Sequence, residues 1–195
     1  MYKVVTLKNT FLHLGKILTH KYWVAHYCFR CGLYWQGITH DLSKFSPVEF
    51  FESVKYYQGN SSPINACKAY KGYSLAWQHH KGRNPHHYEH WTDNYDSGTT
   101  CIPMPKKYAV EMLCDYLGAA RAYLGKKFTF EGEMKWWNNK WMFGGIKMHA
   151  DTAAFLTNCF NELYELERKY PGNIMKIENL FFRTKYKDIL ENYKH

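Results

Sequence analysis

Three long segments of the chain carry apolar residues at the three- and four-residue spacing of an amphipathic α-helix. They run from Thr10 to about Tyr34, from about Lys106 to Leu124, and from Lys147 to Tyr170, where Pro171-Gly172 follows. No stretch alternates apolar and polar residues as a half-buried strand with hairpin turns would. The 195 residues contain no repeat and no low-complexity segment. We therefore expect a single all-α domain.

Turn and cap residues predict shorter helices between the first two long segments. Thr39 is a predicted N-cap for a short helix over residues 40–44. Ser46-Pro47 has the form of a helix start, with Glu49 at the capping-box position. A helix is therefore expected to begin at Ser46-Pro47.

Residues 72–105 combine residues that favour helix starts and ends with residues that break helices. A short helix is expected to end at Gly72, and Ser74 is expected to cap a further turn or two. Gly82 and Asn84-Pro85 predict irregular structure from Lys81 to Pro85, and residues 93–105 are predicted to be a loop.

Histidines are concentrated between the predicted helices. Five of them lie within residues 79–90, and a His40-Asp41 pair with Lys44 precedes them. Neutral imidazole is the commonest metal ligand in proteins, and lysine can contact a phosphate held by the metal. These residues therefore indicate a metal-dependent hydrolase.

The order of these residues resembles the HD-domain superfamily of metal-dependent phosphohydrolases. Its pattern is an early helical His, a His-Asp pair often followed by Lys, and a late Asp on a separate helix. The stretches Gly37–Pro47 and Trp77–Trp91 are more closely similar to a bacterial and phage family of unknown function. The resemblance implies an HD-like helical bundle over residues 10–125, with residues 126–195 as a C-terminal helical extension.

The resemblance also implies a set of metal ligands. His26 is an alternative to His20 as the early ligand, because the two side chains leave the same helix in different directions. One or two divalent ions are implied, and such ligands do not distinguish Mn, Fe, Co, Ni, Zn or Mg. The implied ligands are His20, His40, Asp41, His80, His86, His87 and Asp115.

Three residues receive catalytic roles in this interpretation. Asp41 or a histidine of residues 79–90 would orient or deprotonate the attacking water, while Lys44 and Arg83 would stabilise the developing negative charge. Asp115 shares a helix side with Gly118 and other small residues, which permit close approach of a neighbouring helix.

Charge and cysteine content narrow the class of partner. The net charge of +9 favours an anionic partner, and we expect a small nucleotide-like phosphate. The aromatic side chains expected as stacking faces are Tyr56, Tyr57, Trp77, Tyr88 and Trp91. No run of five Lys or Arg supports a nucleic-acid tail.

Cys28 and Cys31 are interpreted as small apolar residues one helical turn apart. A cytoplasmic protein without a membrane span is expected.

Two other functions remain open at this stage. One is a non-catalytic metal- or nucleotide-binding protein, such as a phage modulator of its host. The other is a metal-dependent nuclease, which in its ββα form needs a hairpin that the sequence does not indicate around residues 79–94. The region from Glu131 onward is interpreted as a lid, a homo-oligomer surface or extra helices that close the core.

Overall fold

Helices account for most of the chain in the computed structural model, which describes residues 4–96 and 98–195. The prediction of a single all-α domain is confirmed. A π-helical turn, Phe181–Lys185, joins the last two helices. The helices are α1 (Leu7–Arg30), α2 (Tyr34–Thr39), α3 (Pro47–Lys55), α4 (Pro63–Lys71), α5 (Leu75–Arg83), α6 (Lys106–Leu124), α7 (Phe130–Phe143), α8 (Ala150–Lys169), α9 (Ile174–Leu180) and α10 (Tyr186–Glu191).

A short antiparallel hairpin lies where the sequence predicts only a loop. Its strands are β1 (Thr92–Tyr95) and β2 (Gly98–Cys101), and Thr92 pairs with Cys101. Neither strand supplies a side chain to the His/Asp groups of the described residues. The hairpin is therefore no evidence for a ββα nuclease, whose hairpin would lie at the metal.

Helix α6 lies at the centre of the core and packs closely against α1. A Cβ atom added at Gly118 would lie 2.5 Å from Val24 Cγ2 and 2.9 Å from the main-chain nitrogen of Val24. The expectation that small residues near Asp115 permit close approach of a neighbouring helix is confirmed at Gly118. The close contact fixes the distance between two helices that both carry site residues.

The C-terminal helices complete the same core. Trp137 of α7 and Leu156, Phe160 and Leu163 of α8 are fully buried in one cluster with Leu113 and Leu117 of α6. Within residues 4–96 and 98–195, no helix combines the length and apolar character that crossing a bilayer requires.

The local helix signals were correct in some places and wrong in others. Ser74 Oγ accepts a hydrogen bond from Trp77 N at 3.0 Å, and Gly72 ends α4 at φ 81°, as predicted. α3 begins at Pro47, but the Ser46 side chain makes no capping hydrogen bond. The expected irregular structure is wrong for Lys81–Arg83, because α5 continues through Gly82 to Arg83, but it is confirmed for Asn84-Pro85.

Burial of Glu133 on α7 gives the fold a pH dependence. Desolvation raises the pKa of this carboxyl from 4.5 to about 7. Its ionisation therefore opposes folding, and the free energy of unfolding should fall by about 3 kcal/mol as the pH rises from 4.5 through 7. We expect Glu133→Gln to remove this fall, so that the variant melts higher than wild type at pH 8 but not at pH 4. Equal melting differences at both pH values would contradict the assignment.

Candidate metal centre

The chain turns sharply at His40-Asp41, and this turn directs both side chains inward. Thr39 ends α2 instead of capping a new helix, and its hydroxyl donates to the Trp35 carbonyl at 2.8 Å. Asp41 has φ 56°, the one left-handed non-glycine conformation among the described residues. That conformation costs on the order of 1 kcal/mol, and the surrounding contacts must hold it. One such contact is Lys21 Nζ, which donates to the His40 carbonyl.

A first group of four donor atoms joins α1, the end of α2, and α6. His20 Nε2 lies 3.3 Å from Asp41 Oδ2, 3.2 Å from Asp115 Oδ1 and 3.3 Å from His40 Nε2. His40 Nε2 lies 3.3 Å from Asp41 Oδ2 and 3.5 Å from Asp115 Oδ1. Ligands bound at about 2.1 Å in a tetrahedron are separated by roughly 3.4 Å. The spacing of the four buried atoms therefore fits a metal ion at their centre.

A second group uses the other oxygen of Asp41. Asp41 Oδ1 lies 3.3 Å from His80 Nε2 and 3.3 Å from His86 Nε2, and His87 completes the group. Within the described residues, Asp41 Oδ1, His86 Nε2 and His87 Nε2 are buried without a hydrogen-bond partner. Each unpaired buried polar atom costs about 1–3 kcal/mol. A cation among these atoms would satisfy them together, so the donor set fits a second ion.

Two carboxylates contact the Nδ1 atoms of the histidines and so orient their rings. Glu111 Oε1 lies 2.9 Å from His40 Nδ1 and 3.2 Å from His86 Nδ1, and Glu49 Oε2 lies 2.7 Å from His80 Nδ1. With protons on the Nδ1 atoms, each Nε2 presents a lone pair to the site. This carboxylate–histidine arrangement is typical of metal centres.

The pKa shifts indicate that the site stabilises positive charge. Burial alone would lower the pKa of His40, but Asp41, Asp115 and Glu111 outweigh it and hold that pKa well above its ordinary value. Burial likewise favours the neutral form of Asp41, yet His40 and Lys44 hold its pKa well below its ordinary value. A buried pocket with this balance of charge is suited to a cation.

The structure brings the predicted ligands together. The two groups contain His20, His40, Asp41, His80, His86, His87 and Asp115. His26 points elsewhere, with Nε2 3.3 Å from Glu178 Oε2, and Arg83 is exposed. Whether the seven residues bind a metal stays a prediction.

Sequence reasoning missed Glu49. It was interpreted as a capping-box residue, because Ser-Pro-x-Glu is typical of helix starts. Instead, Glu49 Oε1 lies 2.6 Å from His79 Nδ1 and Glu49 Oε2 contacts His80. Glu49 lies five residues after Lys44, and no local sequence signal indicates that it contacts the later histidine pair.

A cavity of about 240 Å³ opens beside the donor groups. His20, His80, His87 and Asp115 contribute to its wall. Three cationic side chains, Lys16, Lys44 and Lys140, also line it, together with Trp77, Tyr88, Tyr116 and Tyr123. Trp77 and Tyr88 are two of the aromatic residues expected as stacking faces, while Arg83 is not part of the wall. The cavity therefore combines donor atoms, positive charge and aromatic surface.

Replacing Glu111 by Gln is expected to weaken metal binding by about 10–100-fold, because two histidines lose the carboxylate that orients them. Isothermal titration of metal-free protein with Zn²⁺ or Mn²⁺ measures this change. Glu165→Gln, which removes an exposed carboxylate that contacts Arg168, is the matched control and should bind as wild type does. Unchanged affinity of Glu111→Gln would contradict the proposed orientation.

A further group of His and Asp side chains lies at the surface, apart from the buried donors. His195 Nε2 lies 2.6 Å from Asp151 Oδ2, and His149 Nδ1 lies 3.9 Å from the same oxygen. An exposed hydrogen bond between the side chains of His195 and Asp151 accounts for this geometry without a metal ion.

The helical fold and the buried His/Asp groups together define an all-α protein with side chains that can hold a metal ion. Residues 9–162 match DUF5662, a family of unknown function, and the chain belongs to that family. The matched segment includes both donor groups, the whole of α7 and much of α8. It therefore extends beyond residue 125, where the resemblance implied that the HD-like bundle ends. No curated protein and no solved structure matches the chain significantly.

Proposed function

We propose that the protein is an HD-type, metal-dependent phosphohydrolase that acts on a small nucleotide-like phosphate. The observation that carries the proposal is the position of Asp41, which places one carboxylate oxygen in each of two buried donor groups beside a cationic cavity. The order of donors along the chain, an early His, a His-Asp pair, further histidines and a late Asp, supports the resemblance to HD-type enzymes.

The first ion would be held by His20, His40, Asp41 and Asp115, and a second by Asp41 with the histidines of the second group. When bound, such ions would lower the pKa of water and neutralise charge on a phosphoryl group. The geometry leaves the metal's identity open among divalent ions with nitrogen and oxygen ligands.

The protein's own side chains would bind and orient the substrate. Lys44 Nζ lies 2.5 Å from Asp41 Oδ2 and lines the cavity. Burial opposes its charge, but Asp41 outweighs burial and raises the pKa of Lys44, which keeps the ammonium protonated. Lys44 would therefore stabilise negative charge on the phosphate, with Lys140 contacting its far side. Arg83 lies outside the cavity, so the proposal assigns these contacts to the lysines.

The cavity favours a small substrate over a polymer. Its volume is slightly below the usual range for small-molecule sites, about 300–1,000 Å³. The rings of Trp77, Tyr88, Tyr116 and Tyr123 offer flat faces to a nucleobase. A nuclease would need an open groove for the chain of its substrate, which makes it the weaker candidate.

Metal removal and restoration test the proposal. Purified protein is assayed for bound metal, stripped with a chelator, and then supplied separately with Mn²⁺, Fe²⁺, Co²⁺, Ni²⁺, Zn²⁺ and Mg²⁺. Each form is screened against nucleoside monophosphates, cyclic nucleotides and a chromogenic phosphate ester. We expect activity to disappear on chelation and to return with at least one ion. Tight metal binding without turnover of any phosphate would instead support a non-catalytic binding protein.

A further inference from the structure

Helix α1 has a second apolar face, on the side away from the metal centre. Seven residues form this stripe, and on an α-helix they fall within an arc of about 80°. Phe11 is 70% exposed, Tyr22 64% and Leu18 53%. His20 and Val24 lie on the opposite, buried side. The stripe consists of Leu7, Phe11, Leu14, Leu18, Tyr22, Ala25 and Phe29.

The spacing of the stripe is symmetric about Leu18. Successive members are separated by four, three, four, four, three and four residues. An antiparallel copy of α1 would place Leu18 against itself, and Phe11 against the small Ala25. Leu14 would face Tyr22, and Leu7 would face Phe29. A patch that is complementary to itself in this way is what a two-fold interface requires.

We propose that α1 is the interface of a two-fold symmetric dimer of this chain. A narrow apolar stripe along one helix is the form of a helix–helix seam between chains. The α1 helix of 24 residues is about 36 Å long, enough for such a seam. Burial of the stripe would also hold α1 in place, and the inner face of α1 supplies His20.

Helix α2 enlarges the exposed apolar surface at one end of the stripe. The rings of Phe29 and Tyr34 lie 5.6 Å apart, and Trp35 is 72% exposed. With about 150–250 Å² per aromatic side chain, the exposed parts of the stripe and of α2 amount to roughly 900 Å². A stable interface buries about 800 Å² on each partner. The available apolar area is therefore sufficient for a dimer.

The charges beside the stripe favour a second copy over a lipid surface. Helices that lie on anionic membranes have many free Lys and Arg on their polar flanks. Here Lys21 donates to the main-chain carbonyls of Ile38 and His40, and Arg30 donates to Asn179. These two cations are held by the fold, which leaves Lys8 as the main free cation beside the stripe among the residues that the structure describes.

Sedimentation velocity over a range of concentrations tests the dimer. Wild type is expected to sediment as two chains, whereas Leu18→Glu places two carboxylates opposite each other at the symmetry axis. We expect this variant to raise the dissociation constant at least about 100-fold, with an unchanged circular dichroism spectrum. Met175→Glu, at a residue 69% exposed on α9, is the matched control and should remain dimeric.

Cysteine substitutions test the position of the symmetry axis. Leu18→Cys should form a covalent dimer under mild oxidation with copper phenanthroline, whereas Leu12→Cys should not, because Leu12 lies on another side of α1. A monomeric wild type at every concentration, or a dimer that Leu18→Glu leaves intact, would overturn the proposal. Binding of monomers to anionic vesicles that Leu18→Glu abolishes would overturn it in favour of a membrane surface. None of these outcomes depends on whether the protein hydrolyses phosphates.

Discussion

Asp41→Asn is expected to reduce bound metal to less than about a tenth of the wild-type content and phosphohydrolase activity at least about 1,000-fold. Asp41 contributes one oxygen to each donor group, so a single substitution affects both groups. The amide keeps the shape of the carboxylate but removes its negative charge. Asparagine also tolerates the left-handed conformation at φ 56°. The fold should therefore survive while the site loses its shared ligand.

Metal analysis after gel filtration, followed by kinetics at saturating metal, measures both effects. Asp188→Asn, at an exposed position on α10, is the matched control and should retain wild-type metal and activity. Circular dichroism melts establish that both variants are folded. An Asp41→Asn protein that binds and hydrolyses as wild type does would contradict the shared role of this carboxylate.

Gly118→Ala is expected to lower the free energy of unfolding by about 1–3 kcal/mol. The added Cβ would lie 2.5 Å from Val24 Cγ2 and 2.9 Å from the main-chain nitrogen of Val24. The Val24 side chain can rotate away from the added Cβ. Its main-chain nitrogen can move away only if α1 and α6 separate. His20 and Asp115, whose facing atoms are 3.2 Å apart, lie on these same helices. Weaker metal binding should therefore accompany the loss of stability.

Chemical denaturation and metal titration of the same samples test both parts of this prediction. Gly82→Ala is the control, because Gly82 is also helical but has open space where a Cβ would lie. Alanine is the better helix former, so this variant should be as stable as wild type or more stable by up to about 1 kcal/mol. A Gly118→Ala variant that is as stable as wild type would contradict the close packing of α1 against α6.

Sequence reasoning located the long helices and the donor residues for different reasons. Periodic apolar residues predicted α6 over Lys106–Leu124, and the structure has the same bounds. The density of histidines at residues 79–90 and the His40-Asp41 pair indicated a metal site, whereas His20 and Asp115 were implied by the resemblance to HD-type enzymes. Short elements were less predictable. Gly82 lies within α5, and the hairpin of β1 and β2 was missed, because a few polar residues carry weak local preferences.

The sequence by itself determined that the chain is helical, and it indicated most of the side chains that could hold a metal ion. It could not determine how consecutive residues such as His40 and Asp41 meet at one point. On a helix their side chains would diverge by about 100°, and only the left-handed turn at Asp41 brings them together. Nor could it show that Glu49 contacts His80 and that Glu111 contacts His40, because those contacts span 31 and 71 residues and depend on the packing of α3 against α5 and of α6 against α1. Local patterns fix which residues are helical or chemically active, whereas long-range packing of helices fixes which of their atoms lie within bonding distance.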